Sequence, residues 1–229
     1  MKIIEDKRNK LELKAATLIE RKIHEYLKTQ SKVVLGIPGG RSVQGIFSLL
    51  KHQKIPWEKV HIFMVDERLG KDNQEENFNQ AYNSFIEYLE KQKLLLSNNV
   101  HPYTYFNIPE KKALEAYKSE LRVLSHRYDI VLLSSGEDGH VGSLFPNHDS
   151  VNDPSDFFII TENAPKQPPK RLTASRKMLQ KSQTALLLFF GEEKAKAYKN
   201  FLDKSLSIAD CPAKLVNDIK DSHVFSDIK

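Results

Sequence analysis

The chain has 229 residues, of which 28% are charged, and its formal net charge is +5 at pH 7. Its one cysteine, Cys211, excludes an intrachain disulfide and a metal site built from cysteines. Because lysines and arginines are spread over nearly every segment, a dedicated nucleic-acid surface is not expected, although the positive excess favours small anionic substrates.

Targeting signals are not evident at the amino terminus. The stretch MKIIEDKRNK mixes charges and lacks the apolar core of a signal peptide, and the longest strongly apolar run, 185–190, is too short to span a bilayer. The sequence therefore predicts a cytoplasmic protein without a membrane partner.

The first third of the chain predicts a helix, a strand and a glycine turn. Apolar residues recur at helical spacing over residues 10–27, residues 33–37 form an apolar run typical of a buried strand, and residues 42–50 predict a second helix. The turn at 38–41 suits a phosphate, because backbone N–H groups are presented where a helix begins. A plain strand-to-helix turn is the alternative, and the spacing does not match a nucleotide-binding loop.

Three charged residues follow the next predicted strand. Residues 60–65 are apolar, and Asp66, Glu67 and Arg68 come directly after them. Arg68 suits a phosphate or carboxylate, and Asp66 could orient a hydroxyl or a histidine. A solvated turn is the alternative. Helices are then predicted near 77–89 and 109–125, with a short strand at 99–106 between them.

The stretch 131–146, VLLSSGEDGHVGSLFP, carries the densest group of chemically active residues. A buried strand is predicted to end before Glu137, Asp138, Gly139 and His140. His140 is the strongest candidate for catalysis, because imidazole exchanges a proton near neutral pH. Read alone, the D-G-H triplet at 138–140 favours a polar turn that joins strand to helix, and it is the other polar segments that favour a site.

Later segments repeat the alternation of strands and turns. Strands are predicted at 157–161 and 184–190, separated by a proline-rich loop that carries Lys170 and Arg171. Lys194 falls in the first turn of the following helix, where a bound anion would offset its repulsion from the helix dipole. A helix at 212–219 and an edge strand at 223–225 complete the prediction.

The repeated order of strand, turn and helix predicts the architecture. It indicates an α/β fold with a doubly wound, mostly parallel sheet and helices on both faces, formed by residues 1–229 as a single domain. Parallel strands bring their carboxyl ends to one edge, so the polar clusters at 38–42, 66–68 and 136–143 are expected to meet in one pocket.

The run GEDGHVGSLFPNH resembles the G-x-D-G-H-x-A-S-L-F-P-G-H signature of 6-phosphogluconolactonases. The similarity continues through GIPGGRS, Trp57 and the VDER segment after it, Asn77-Phe78 (Asn-Tyr in the family), PPKRLT, FFGEEKAKA and CPAKLV, in order and over nearly the whole chain. The chain departs from the family pattern at Ser134 (often glycine), Gly142 (usually alanine) and Val43 (often proline). The family's tryptophan near the carboxyl terminus is absent, with Phe225 nearest to its place.

The resemblance implies a hydrolase that opens 6-phospho-D-glucono-1,5-lactone in the oxidative pentose phosphate pathway. His140 would take a proton from the attacking water, and either Asp138 or Asp66 would hold the imidazole or the sugar hydroxyls. No metal or other cofactor is implied, and the partner is the small phosphorylated lactone, bound by a monomer or small homo-oligomer. Residues implied to bind substrate, phosphate or a developing oxyanion are Gly39, Gly40, Arg41, Ser42, Arg68, Gly139, Arg171 and Lys194.

Other functions are distinguished by particular residues. Glucosamine-6-phosphate deaminases share the D-G-H triplet, but there a glutamate of the acid–base machinery stands where this chain has Phe145, which cannot relay a proton. A non-catalytic sugar-phosphate sensor would be expected to carry an attached helix-turn-helix segment, and none is evident. A metal site formed by Asp138, His140 and His148 is a further alternative.

Overall fold

The computed structural model describes residues 1–70 and 77–228. Its strands are β1 Lys2–Glu5, β2 Val33–Ile37, β3 Val60–Met64, β4 Asp66–Arg68, β5 Val100–His101, β6 Ile130–Ser134, β7 Phe158–Thr161, β8 Arg171–Ala174, β9 Thr184–Phe189 and β10 Asp221–Ser226. Seven of them form one sheet in the order β1-β10-β9-β6-β2-β3-β5, and every pairing in it is parallel. The predicted α/β class with a mostly parallel sheet is confirmed.

The α-helices are α1 Arg8–Tyr26, α2 Gln44–Leu50, α3 Asn77–Ala81, α4 Glu87–Lys91, α5 Glu110–Leu124, α6 Asp149–Asn152, α7 Arg176–Gln180 and α8 Ala195–Leu202. A π-helical turn, Tyr82–Ile86, separates α3 from α4. Short 3-10 helices are formed by Arg41–Val43, Trp57–Lys59, Ser97–Asn99, Glu192–Lys194 and Pro212–Asp218. Within the described residues, no helix has the length and apolar character needed to cross a membrane.

Alternate side chains of each central strand enter different cores, which is why the strands are apolar throughout. In β6, Ile130 and Leu132 pack with residues of α1 and α2, whereas Val131 and Leu133 pack with residues of α5 and α8 on the other face. The helices on both faces therefore follow from the two-sided burial of the strands.

The two ends of the chain pair with each other. The carboxyl-terminal strand β10 lies between β1 and β9, so it is an interior strand and not the edge strand predicted from sequence. Strand β1 was not predicted, because its four residues gain their pairing only from β10, more than two hundred residues away. A short strand with charged ends has no periodicity that reveals such a partner.

A second, antiparallel sheet, β4-β8-β7, covers the carboxyl edge of the main sheet. Val65 joins the two, because its N–H donates to the Ile37 carbonyl of β2 and its own carbonyl accepts from the N–H of Ala174, the last residue of β8. Residues 66–68, for which a solvated turn was the alternative to a site, therefore form strand β4, with Arg68 opposite Arg171 in register. This arrangement carries the charged residues of β4 over the ends of β2 and β6.

Candidate active site

A cavity of about 550 Å³ lies at the carboxyl edge of the parallel sheet, beside β2 and β6. Successive strands are added to one side of β2 (β3, β5) and then to its other side (β6, β9, β10), so this is the switch point of the sheet, where ligands bind in α/β folds. Loops after β2 and β6, the small sheet and the segment after β9 all contribute to its wall. Nine residues singled out from the sequence line it: Gly39, Gly40, Arg41, Ser42, Asp66, Arg68, His140, Arg171 and Lys194. The three polar clusters thus meet as expected.

His140 is paired with the nearest of the two candidate carboxylates. Its Nδ1 lies 2.5 Å from Oδ1 of Asp138, and the His140 backbone N–H donates to the same oxygen at 3.2 Å. Burial alone would raise the pKa of Asp138, but the hydrogen bond and charge of His140 outweigh it and lower that pKa to about 2. Asp138 is therefore anionic at neutral pH and fixes the orientation of the ring.

The imidazole is held between a glycine and a phenyl ring. A Cβ on Gly136 would lie 2.0 Å from Cε1 and 2.1 Å from Nδ1 of His140, so the ring occupies the space of the missing side chain. The Phe145 ring lies on the imidazole as well, with centroids 4.8 Å apart. Phe145, at the position of the deaminase glutamate, is thus next to His140 and has no acidic or basic group.

Gly139 does not fit the role expected from sequence. It is not among the residues that line the cavity, its N–H donates to the Gly136 carbonyl, and its carbonyl accepts from Ala213. Its φ of +92° and the proximity of the Cys211 sulfur, 2.9 Å from where a Cβ would stand, explain the glycine. The expectation of an oxyanion donor here is corrected, because the N–H is used to close the turn.

Gly40 lines the cavity, but its N–H donates to Oε1 of Gln80 at 3.1 Å. Gly39 packs against the side chain of Asn77, which in turn donates to the Asp66 carbonyl. The glycine loop is therefore held by α3, and its Gly40 N–H is not available for a phosphate. The sequence hinted at Asn77 only through its place in the resemblance.

Asp66, the other candidate carboxylate, lines the cavity, and its side chain bonds to Ser143, whereas the imidazole bonds to Asp138. Asp66 is 6% exposed, and its Oδ2 accepts from the Ser143 hydroxyl at 3.0 Å. Burial raises the pKa of Asp66, while the charge of Arg171 and the Ser143 hydrogen bond oppose that shift. The two candidate carboxylates thus differ in position: Asp138 is hydrogen-bonded to the imidazole, and Asp66 lines the cavity.

Glu67 lies between the two predicted site residues of β4, Asp66 and Arg68, and it stabilises the fold around the site. Its carboxylate accepts from the backbone N–H groups of Arg68, Asn77 and Phe78 at 2.6–2.8 Å. Burial raises the pKa of Glu67 to about 7, although these three donors favour its charged form. It ties α3 to β4, and α3 in turn supports the glycine loop.

Lys194, which follows β9, connects the segments after β2 and at the end of β6 within the cavity wall. Its Nζ donates to the hydroxyls of Ser42 at 2.7 Å and Ser134 at 3.1 Å, and the residue is 7% exposed. Burial lowers the pKa of Lys194 to about 8; the Glu193 carboxylate opposes this shift and the Arg8 guanidinium adds to it. The serine that replaces the family's glycine at 134 therefore supplies a partner for this amine.

Arg171 donates hydrogen bonds to backbone carbonyls of the loop that precedes it. Its Nε donates to the Pro168 carbonyl at 2.7 Å, and Nη2 donates to the carbonyls of Gln167 at 2.8 Å and Lys166 at 3.3 Å. The residue still lines the cavity with Arg68, its partner across the β4–β8 pairing. Its contacts indicate that it shapes the wall and contributes charge.

The sequence prediction missed several lining residues, namely Arg8, Asn77, Gln80, Ser134 and Lys166. Arg8 comes from the start of α1, a full helix and a strand before the GIPGGRS segment, which is the nearest motif of the site. His148, the proposed third ligand of a metal, uses Nδ1 with Ser150 and Nε2 with the Asn163 carbonyl. Across residues 1–70 and 77–228, no three His, Cys, Asp or Glu side chains are grouped as metal ligands.

Comparison with known proteins identifies the family of the chain. The model of the family described as glucosamine-6-phosphate isomerases/6-phosphogluconolactonase matches residues 6–225. The 6-phosphogluconolactonase of Borreliella burgdorferi is 33% identical over 85% of this chain and 83% of its own, and that of Thermotoga maritima is 32% identical over 77% of each. The crystal structure of the Thermotoga maritima enzyme superposes with a TM-score of 0.84 at 27% identity, covering 98% of both chains. The chain belongs to the family of glucosamine-6-phosphate isomerases and 6-phosphogluconolactonases.

Proposed function

We propose that the protein is a 6-phosphogluconolactonase that hydrolyses 6-phospho-D-glucono-1,5-lactone to 6-phospho-D-gluconate in the cytoplasmic oxidative pentose phosphate pathway. The observation that carries this proposal is the His140–Asp138 pair beside a cavity with several cationic side chains. The names of its relatives support it, as does Phe145 at the place where a deaminase needs a carboxylate.

His140 acts as the base in this proposal. Nε2 takes a proton from water as the water oxygen forms a bond to C1 of the lactone, and the carbonyl electrons move onto the oxygen. When the tetrahedral intermediate collapses, the C1–O5 bond breaks and O5 receives the proton back from the imidazolium. Asp138 holds Nδ1–H and stabilises the imidazolium between these steps. A lactone carbonyl is already electrophilic, so no metal or covalent intermediate is needed.

Asp66 is assigned to the sugar in this scheme. Asp138 occupies Nδ1 of the imidazole, whereas Asp66 lines the cavity and is fixed by the Ser143 hydroxyl. A buried oxygen acceptor of this kind suits a ring hydroxyl, which it would hold so that C1 faces His140. This assigns the two carboxylates that the sequence left interchangeable.

The phosphate is assigned to the end of the cavity formed by Arg41, Ser42 and Lys194, with Arg68 and Arg171 adding positive charge from the small sheet. The Lys194 amine and the Ser42 hydroxyl lie 2.7 Å apart, so one phosphate oxygen can meet both. The Lys194 amine is already buried, so it loses little bound water when an anion binds.

The pKa of Lys194 predicts how the reaction depends on pH. Since that pKa is about 8 in the unliganded protein, kcat/KM for the phosphorylated lactone should fall as pH rises through 8 and the amine loses its charge. Initial rates from pH 6 to 9.5, corrected for spontaneous hydrolysis, measure this limb. In Lys194→Arg, whose guanidinium stays protonated, the limb should disappear; an unchanged limb would assign it to another group.

One assay tests the proposed function as a whole. Purified protein is added to 6-phosphogluconolactone with a no-enzyme control, and in parallel to glucosamine 6-phosphate with detection of ammonia. Lactone opening well above the spontaneous rate without ammonia release supports the lactonase. Ammonia release at a comparable rate would instead show a deaminase. If neither reaction occurs, a sugar-phosphate sensor becomes the better interpretation.

A further inference from the structure

The amino-terminal end of α1 delivers a cationic side chain to the cavity that no motif of the sequence indicated. Arg8 is the first residue of this helix, and it lines the cavity together with Arg41, Ser42 and Lys194. It therefore belongs to the same end of the site as the residues assigned to the phosphate.

Three contacts fix the direction of the Arg8 side chain. Its Nε donates to Oε1 of Glu12 at 2.9 Å, its Nη2 donates to the Arg41 carbonyl at 3.4 Å, and its guanidinium carbon stands 5.3 Å from the centre of the Phe190 ring. Within the part of the chain that the structure describes, Nη1 makes no hydrogen bond. A guanidinium held in this way loses little freedom when it binds, which favours a contribution to affinity.

The charge of Arg8 acts directly on the buried amine. Its guanidinium is one of the groups that lower the pKa of Lys194, so the two cations lie close enough to repel each other. The two groups that accept hydrogen bonds from Lys194 are neutral hydroxyls, and the Glu193 carboxylate supplies charge that opposes the effects of burial and of Arg8. An anion placed between Arg8 and Lys194 would turn this repulsion into two attractions, and a phosphate dianion would gain most.

We propose that Arg8 is a specificity-determining residue that completes the phosphate subsite with Ser42 and Lys194, and that it sets the preference for a phosphorylated over an unphosphorylated lactone. This inference rests on the proposed function for the identity of the substrate. Its guanidinium binds the face of the phosphate that is turned away from Lys194, at the entrance of the cavity. It does not touch the reacting carbon.

Arg8→Ala tests this by comparing two substrates. For 6-phosphogluconolactone, KM should rise about tenfold, the effect of one lost charge-assisted contact, with kcat within about twofold of wild type. For glucono-1,5-lactone, which has no phosphate, kcat/KM should be unchanged. Arg8→Lys should give an intermediate KM, because it keeps the charge but not the planar fork.

Arg122→Ala is a matched control. Arg122 is also a helix residue with a half-exposed side chain, also pairs with a glutamate (Glu115, 3.5 Å) and also lies over a phenyl ring (Phe157, 4.7 Å), but it does not line the cavity. Loss of such packing alone should leave both lactones unaffected. If Arg122→Ala matches Arg8→Ala, or if Arg8→Ala slows both lactones equally, the specificity role is overturned.

Binding of inorganic phosphate, measured by calorimetry on wild type and Arg8→Ala, separates the two proposals. Phosphate affinity should fall about fivefold to tenfold in Arg8→Ala even if the natural substrate is another sugar phosphate. Equal phosphate affinities would overturn the role of Arg8. Absence of lactone hydrolysis by the wild type, with the affinity difference retained, would overturn only the proposed function.

Discussion

Replacement of His140 by alanine is expected to lower kcat by about a hundred- to ten-thousand-fold, the usual contribution of a positioned general base. KM should stay within a few-fold of wild type, because in the proposed mechanism the imidazole meets the attacking water and not the phosphate or the ring hydroxyls. The reason is geometric as well as chemical: Asp138 occupies Nδ1 at 2.5 Å, so only Nε2 can serve the cavity.

The control for this variant is a second histidine a few residues away. His148 also contacts the Phe145 ring, at a centroid distance of 6.1 Å, but both of its nitrogens bond to the protein. His148→Ala should therefore keep kcat within about twofold once folding is verified by thermal melting. If His140→Ala also keeps its kcat, after spontaneous hydrolysis is subtracted, His140 is not the base.

Gly136→Ala should reduce kcat by about a hundredfold although it adds only a methyl group outside the reacting centre. The added Cβ would lie 2.0 Å from Cε1 of His140, so the imidazole must leave its place beside Asp138. Gly136 is not among the glycines with a left-handed φ, so the backbone itself tolerates alanine. The expected loss of stability is about 1–3 kcal/mol from overpacking, measured by denaturant unfolding.

A double-mutant cycle shows whether this variant acts through the imidazole. In a His140→Ala background the ring is absent, so Gly136→Ala should cause no further loss of kcat. Additive losses would mean that the methyl group disturbs the site by another route, for example through the Gly136 N–H that donates to the His140 carbonyl.

Local patterns were sufficient for the main features of the site. Asp138 and His140 lie two positions apart in the turn after β6, so both were evident as candidates from adjacent positions, although Asp66 stayed open as the partner of the imidazole. The strands β2, β3, β6 and β9 were evident as apolar runs because both of their faces are buried. Parallel order then placed their carboxyl ends together.

Contacts between distant segments were not predictable in the same way. Hydrophobic periodicity reports burial, but it does not tell which N–H of a turn is already used, and so the expectation for Gly139 was wrong. The roles of Gln80 and Arg8 depend on contacts with the glycine loop, from which they are separated by 40 and 33 positions in the chain.

The sequence by itself determined the sheet class, the family resemblance and the identity of the imidazole and carboxylates, because these depend on residue type and short-range spacing. Only the tertiary structure decided which carboxylate serves the imidazole and which faces the cavity, that β4 belongs to a separate antiparallel sheet, and that a helix at the start of the chain supplies Arg8. The physical reason is that the direction of each polar side chain is set by the packing of segments far apart in sequence, and no local pattern encodes that direction.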